Sequence, residues 1–225
     1  MKRLVIVGAG GFGREVLAWA VEAQKQQNTW RVAGFLDANP EALREYSDAY
    51  PILGDPALYI PGVDELLVCA IGDPTERLKV CRGLKERGAS FATLIHPAAI
   101  VGPNCRLGEG CVLCPGAVVT TDATLGAHVI LNVGACVGHD AVLGDGCTLS
   151  PHCDIGGFAR LGEGVFMGSH ADVLPSAQVG DYAVIGAGSV VLRRVKAHTT
   201  VLGVPAVLAF ARQTPTSRAS KEGEQ

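Results

Sequence analysis

From Ile95 to Val191 the chain places a large aliphatic residue at every sixth position. The series runs Ile95, Val101, Leu107, Leu113, Val119 and onward to Ile185 and Val191, seventeen positions without an insertion. Four residues after each comes a second column that is small or β-branched: Ala99, Cys105, Cys111, Ala117 and so on to Ala183, Ser189 and Val195. Glycine often follows the aliphatic residue, as at Gly102, Gly108, Gly126, Gly138 and Gly156. A period of six matches neither the 3.6 of an α-helix nor the 2.0 of an alternating strand. It is the signature of a parallel β-helix, in which each hexad makes one short strand and one tight turn. Three hexads close one triangular coil. The aliphatic column fills the prism, and the small column points inward near the corners.

The residues before the repeat follow other periods. Arg3 to Val7 reads as a strand, Gly8-Ala9-Gly10-Gly11-Phe12-Gly13 as a loop, and Arg14 to Gln26 as a helix with an apolar stripe at Val16, Leu17, Ala20 and Val21. Strand, glycine loop and helix together form a phosphate-binding arrangement, because glycines let backbone N–H groups approach an anion at a helix N-terminus. Arg31 to Leu36 is a second strand ending at Asp37, an acid placed to bind a ribose hydroxyl. A short helix is expected around Glu41 to Ala49, and a third strand over Leu66 to Ile71, ending in Gly72-Asp73-Pro74. Thr75 is the expected N-cap of a helix from Glu76 to Arg87, and Phe91 to Ile95 a fourth short strand leading to His96-Pro97. Only about ninety residues precede the repeat, too few for the two halves of a full dinucleotide fold. The reading is an α/β Rossmann-like half-domain over 1–93 and a β-helix over 94–211. The polar residues 212–225 are expected to form a disordered tail.

Composition narrows the classes. With 48% hydrophobic and 18% charged residues and a net charge of −3, the chain has no basic field for nucleic acid. No apolar run approaches a membrane span, and glycines with two charges break the N-terminal apolar run before a signal peptide forms. Four of the eight cysteines, Cys105, Cys111, Cys147 and Cys153, fall in the small column, where they replace alanine as buried hydrophobes. Cys111 and Cys114 have the spacing of half a zinc site, but no second pair completes it. Reduced thiols point to the cytoplasm.

An aliphatic prism leaves no interior room for a substrate, so chemistry must lie outside it. Residues eighteen apart stack on successive coils, about 4.8 Å apart. His139 is at an outward position, stacked between Thr121 and Gly157, so open space lies beside it. A histidine titrates near neutral pH and suits general-base work, and Asp140 follows at once to orient the ring. His152 and His170 also stack, which leaves a metal site or a plain surface pair open.

The whole chain to about Ala211 resembles the bacterial sugar acyltransferases with hexapeptide repeats, typified by sialic acid O-acetyltransferases and UDP-4-amino-sugar N-acetyltransferases. The matching residues are Gly8-Ala9-Gly10-Gly11-Phe12-Gly13-Arg14-Glu15, Asp37, Ala70-Ile71-Gly72-Asp73, Ile95-His96-Pro97, Asn132-Val133-Gly134, Gly138-His139-Asp140 and Gly203-Val204-Pro205-Ala206. The resemblance implies a left-handed β-helix and a homotrimer with active sites between adjacent subunits. It implies acetyl-CoA as donor, no metal, His139 as general base and Asp140 as its polarising acid. Gly10, Gly11, Phe12, Gly13, Asp37, Ala38 and Gly72 would hold a nucleotide sugar. Thr148, Gly157, Ser169 and Ala187 would touch acetyl-CoA. Many relatives carry histidine in place of Phe12, which points to a different acceptor, and the N-acetyltransferases carry histidine in place of Thr148. The expected activity is acetyl transfer to the amino group of a nucleotide-activated sugar. O-acetylation of a sialic acid or other polysaccharide sugar remains open, as does a non-catalytic scaffold or metal-dependent hydratase.

Overall fold

The computed structural model describes residues 1–27, 29–46 and 50–211. The expected tail 212–225 lies outside the described residues. The chain opens with β1 (Lys2–Val7), α1 (Gly11–Gln27), β2 (Trp30–Leu36), β3 (Ile52–Gly54), β4 (Glu65–Cys69) and α2 (Pro74–Glu86). The four strands form one parallel sheet in the order β3-β2-β1-β4. Leu4 to Val7 are fully buried because helices cover both faces, as an all-parallel sheet requires.

Three local expectations change, and one strand appears that was not expected. The edge strand β3 had no sequence signal, since its three residues are only half buried and show no alternation. Asp73, not Thr75, caps α2: its carboxylate accepts the Glu76 N–H at 2.8 Å. Pro74 then takes the first helical turn, where its missing N–H costs nothing. Pro40 to Glu45 forms turns rather than the start of a helix, and Ser47 to Ala49 of that expected helix lie outside the described residues. The expected strand Phe91 to Ile95 is split. Phe91 bridges to Leu67 in the N-terminal sheet, whereas Leu94–Ile95 is already the first coil strand.

The coil strands are two residues each and form three parallel sheets, the faces of a triangular prism. The first face stacks Leu94–Ile95, Val112–Leu113, Ile130–Leu131, Thr148–Leu149, Phe166–Met167 and Val184–Ile185. The second runs from Ile100–Val101 to Val190–Val191, the third from Arg106–Leu107 to Arg194–Val195. The second residue of each strand fills the prism, and both inward columns from Cys111 to Ile185 are buried. The register is eighteen residues per coil until the last, where Gln178 pairs with Arg194 and Val184 with Thr200, two residues short. Val195 therefore fills the prism above Val179 instead of joining the small column. A final antiparallel pair, Thr199–Leu202 with Val207–Ala211, closes the first face.

The N-terminal unit sits on the first face. Outward Val112 and Ile130 are buried in one core with Val16, Ala20 and Ala23 of α1. His96 pairs with Glu22 of α1 at 3.1 Å, and Lys85 of α2 with Glu109 at 2.7 Å. This contact explains why the outward residues of the first face, Thr148 excepted, are apolar. The exposed third face carries Arg106, Arg160, Gln178 and Arg194 instead.

Candidate active site

His139 sits in the corner between the second and third faces. Its Nδ1 is 2.9 Å from Asp140 Oδ2, and both side chains are about half exposed. Asp140 holds this bond from a left-handed turn conformation, φ 58°, which aspartate tolerates better than most residues. A carboxylate can only accept, so Nδ1 carries the hydrogen and Nε2 presents a lone pair outward. Phe158, one coil up, meets the ring edge-on with centroids 5.1 Å apart. Gly157 leaves the space that the imidazole fills: a Cβ there would lie 2.6 Å from Nε2 and Cε1. Further along this corner Leu174 and Leu192 are exposed, followed by Arg193 and Arg194. Beside it the third face holds a trough of about 730 Å³ lined by Val142, Arg160, Gln178, Arg194 and Lys196.

The glycine loop and the ends of β1, β2 and β4 form a second constellation. Both Asp37 oxygens accept backbone N–H groups at 2.9 Å, one from Ala9 in the loop and one from Asn39 in its own turn, across Ala38. Gly13 packs so tightly on the Gly8 carbonyl that no side chain fits between them. Gly10 and Gly72, by contrast, face open space, and Gly11 meets only the far end of Arg14. The close contact of Gly8 with Ala70 and Ile71 brings the Gly72 loop alongside. Phe12 is half buried and edge-on to Trp19, ring centroids 6.0 Å apart, so it faces along α1. Arg14 had no role in the sequence reading. Its guanidinium lies 3.4 Å from the centre of the Tyr46 ring, at a cavity of about 210 Å³ shared with Leu17, Phe35, Leu43 and Tyr50.

The other carried-over positions are distributed over the coil. Gly157 lies beside His139. Ser169 and Ala187 lie at the corner between the first and second faces, one coil apart. Thr148 is on the first face and buried under the N-terminal unit. Its hydroxyl donates to the Gly72 carbonyl at 3.0 Å and accepts from Arg77 at 2.8 Å. His152 and His170 stack with centroids 5.0 Å apart, and no group of three or more metal-type side chains occurs among the described residues. No helix among the described residues is long and apolar enough to cross a membrane.

A glycine-loop α/β unit on one face of a hexapeptide β-helix, with a histidine–aspartate pair at a corner, defines the left-handed β-helix acyltransferase class. Residues 3–84 match the PglD N-terminal domain, and residues 99–132 and 159–193 the hexapeptide repeat of succinyl-transferase. The chain is 34% identical to PerB from Caulobacter crescentus, whose structure holds CoA and GDP-perosamine. The match covers 93% of this chain and 98% of that one, with a TM-score of 0.82. The acetyltransferase domain of PglB from Neisseria gonorrhoeae, in complex with acetyl coenzyme A, is 28% identical over 92% of this chain and 98% of its own, TM-score 0.83. UDP-N-acetylbacillosamine N-acetyltransferase of Bacillus subtilis is 34% identical over 119 residues. That match spans about half of each chain, 50% of this one and 51% of the relative. The chain belongs to the hexapeptide-repeat sugar N-acetyltransferase family with a PglD-type N-terminal domain.

Proposed function

We propose that the chain transfers an acetyl group from acetyl-CoA to the amino group of a nucleotide-activated amino sugar. The observation that carries this reading is the His139–Asp140 pair, with Nδ1 held by the carboxylate, the ring seated in the space that Gly157 leaves, and Nε2 without a hydrogen-bond partner among the described residues. The neutral amine attacks the thioester carbonyl as Nε2 takes its proton, with Asp140 stabilising the imidazolium that forms. The tetrahedral intermediate collapses, the C–S bond breaks, and the proton on His139 passes to the leaving thiolate. Acetyl-CoA would run along the corner past Phe158, Leu174 and Leu192, with its phosphates toward Arg193 and Arg194. Gly157, and Ser169 and Ala187 of a neighbouring chain, would flank it.

The acceptor crevice at Gly10, Gly11, Asp37, Ala38 and Gly72 would seat the nucleotide, with Phe12 beside it and Gly13 packing the loop on Gly8 behind it. It lies over the first face, opposite the corner that carries His139. This placement supports a site assembled between chains, with the acceptor held by one and the base supplied by its neighbour, and a homotrimer would supply three such sites. Turnover assays with GDP-perosamine and with UDP- and dTDP-linked 4-amino sugars test the reading. Conversion of at least one, falling about 10²- to 10⁴-fold in His139→Ala, is expected. Undiminished turnover in that variant, or acetylation of free sialic acid alone, would overturn it.

A further inference from the structure

The one fully buried arginine among the described residues is Arg77, on α2. Its Nε donates to the His128 carbonyl at 3.0 Å. Nη1 donates to the carbonyls of Ile71 and Gly72, at 2.7 and 3.1 Å. Nη2 donates to the carbonyls of Gly146 and Cys147, at 2.6 and 3.2 Å, and to Thr148 Oγ1 at 2.8 Å. All its acceptors are neutral, and no carboxylate pairs with it among the described residues. A buried charge without a counter-ion is a poor way to gain stability, since an apolar residue could fill a helix–coil seam at lower desolvation cost. What the planar, five-donor guanidinium supplies is direction.

That direction converges on one carbonyl. Gly72 O accepts from Arg77 Nη1 and also from Thr148 Oγ1 at 3.0 Å. Behind Gly72 stands this clamp; in front, a Cβ would meet nothing within 4 Å. The loop is thus pinned from the coil side and open on the crevice side. Asp73, the next residue, caps α2 and holds the helix that carries Arg77.

We propose that Arg77, acting directly and together with Thr148, is a positioning residue that sets the acceptor loop at Gly72 against the β-helix, so that the nucleotide sugar is presented in register to the neighbouring chain's base. Thr148 then serves the acceptor side rather than acetyl-CoA. The inference rests on the acetyl-transfer reading above.

Steady-state kinetics in both substrates test it, using Thr148→Val, Thr148→Ser and Arg77→Lys. In Thr148→Val the acceptor KM should rise about ten-fold while the acetyl-CoA KM stays within about two-fold, because one of the two bonds holding Gly72 is lost. Thr148→Ser keeps the hydroxyl and should restore the wild-type value. Arg77→Lys should show the same split more strongly; if it does not fold, the two threonine variants carry the test. An unchanged acceptor KM in Thr148→Val, or a rise in acetyl-CoA KM instead, would overturn the proposal. If the wild-type chain acetylates no amino-sugar nucleotide, the transfer reading fails by itself. Calorimetric titration with GDP, UDP and dTDP then decides for Arg77: weaker nucleotide binding in Thr148→Val supports it, equal binding overturns it.

Discussion

Gly157 and His139 share one space. The imidazole occupies the volume beside Gly157 so closely that a methyl group there would sit 2.6 Å from Nε2, the atom assigned to take the proton. Gly157 has no left-handed backbone angle, so alanine is tolerated by the main chain and harmful only to the ring. Gly157→Ala should lower kcat about ten- to a hundred-fold with little change in thermal stability. Wild-type turnover in this variant would show that the ring position is not needed.

If the N-terminal unit holds the acceptor, its placement opposite His139 predicts complementation between chains. His139→Ala and Gly10→Trp variants should each be inactive, the second because its side chain fills the open space in front of the loop. Co-expressed as mixed oligomers, they should recover a measurable fraction of wild-type activity. No recovery in isolated mixed oligomers would place base and acceptor in one chain.

The glycines of the loop separate folding from binding. Gly13→Ala sets a side chain against the Gly8 carbonyl and should destabilise the protein by about 1–3 kcal/mol. Gly10→Ala meets nothing and should leave the melting temperature unchanged while raising the acceptor KM. Thermal melts beside acceptor titrations check both.

His128 predicts an acid-side loss of stability. It is buried under Phe91 and Gly110, and burial, helped by Arg77 and Lys85 and opposed by Glu109 and Asp145, lowers its pKa. Its unfolded value is about 6.5, so below that pH the unfolded chain binds the proton more readily than the folded one. Stability should therefore fall as pH drops below about 6.5 toward the depressed folded value. Denaturant titrations at fixed protein concentration should show this slope, and His128→Asn should flatten it.

Asp172 stacks directly on Asp154 in the parallel register of the second face. Burial raises its pKa, Asp154 adds to that, and His170 opposes it. Above the folded pKa the repulsion costs stability; below it the cost disappears. Asp172→Asn should stabilise the protein by about 0.5 kcal/mol at pH 7, with the gain shrinking in acid. A destabilised variant at pH 7 would mean that the carboxylate has a favourable partner.

Much of this protein was readable along the chain because a prism admits so few residues. An inward position between three sheets takes only an aliphatic side chain, and a corner only a small one. The register from Ile95 to Val191, the outward place of His139 and the space at Gly157 all follow from that count. Nearby residues were legible for the same reason: Asp140 must turn beside His139, and the glycine loop must follow β1.

What tertiary structure decided lies where two units meet or where the count breaks. Nothing local distinguishes Arg77 from a surface arginine on an amphipathic helix; only docking of α2 on the first face buries it among six acceptors. Thr148 occupies an outward position that in isolation faces solvent, and the docked unit turns it toward Gly72. Val195 left its expected column because two residues are missing from the last coil, which hydrogen bonding to the coil below absorbs. The opposition of the glycine-loop crevice and His139 depends on which face the N-terminal unit covers. The hexapeptide period dictates a prism because inward volume constrains every sixth residue. It does not constrain outward residues, whose roles are set by what packs against them.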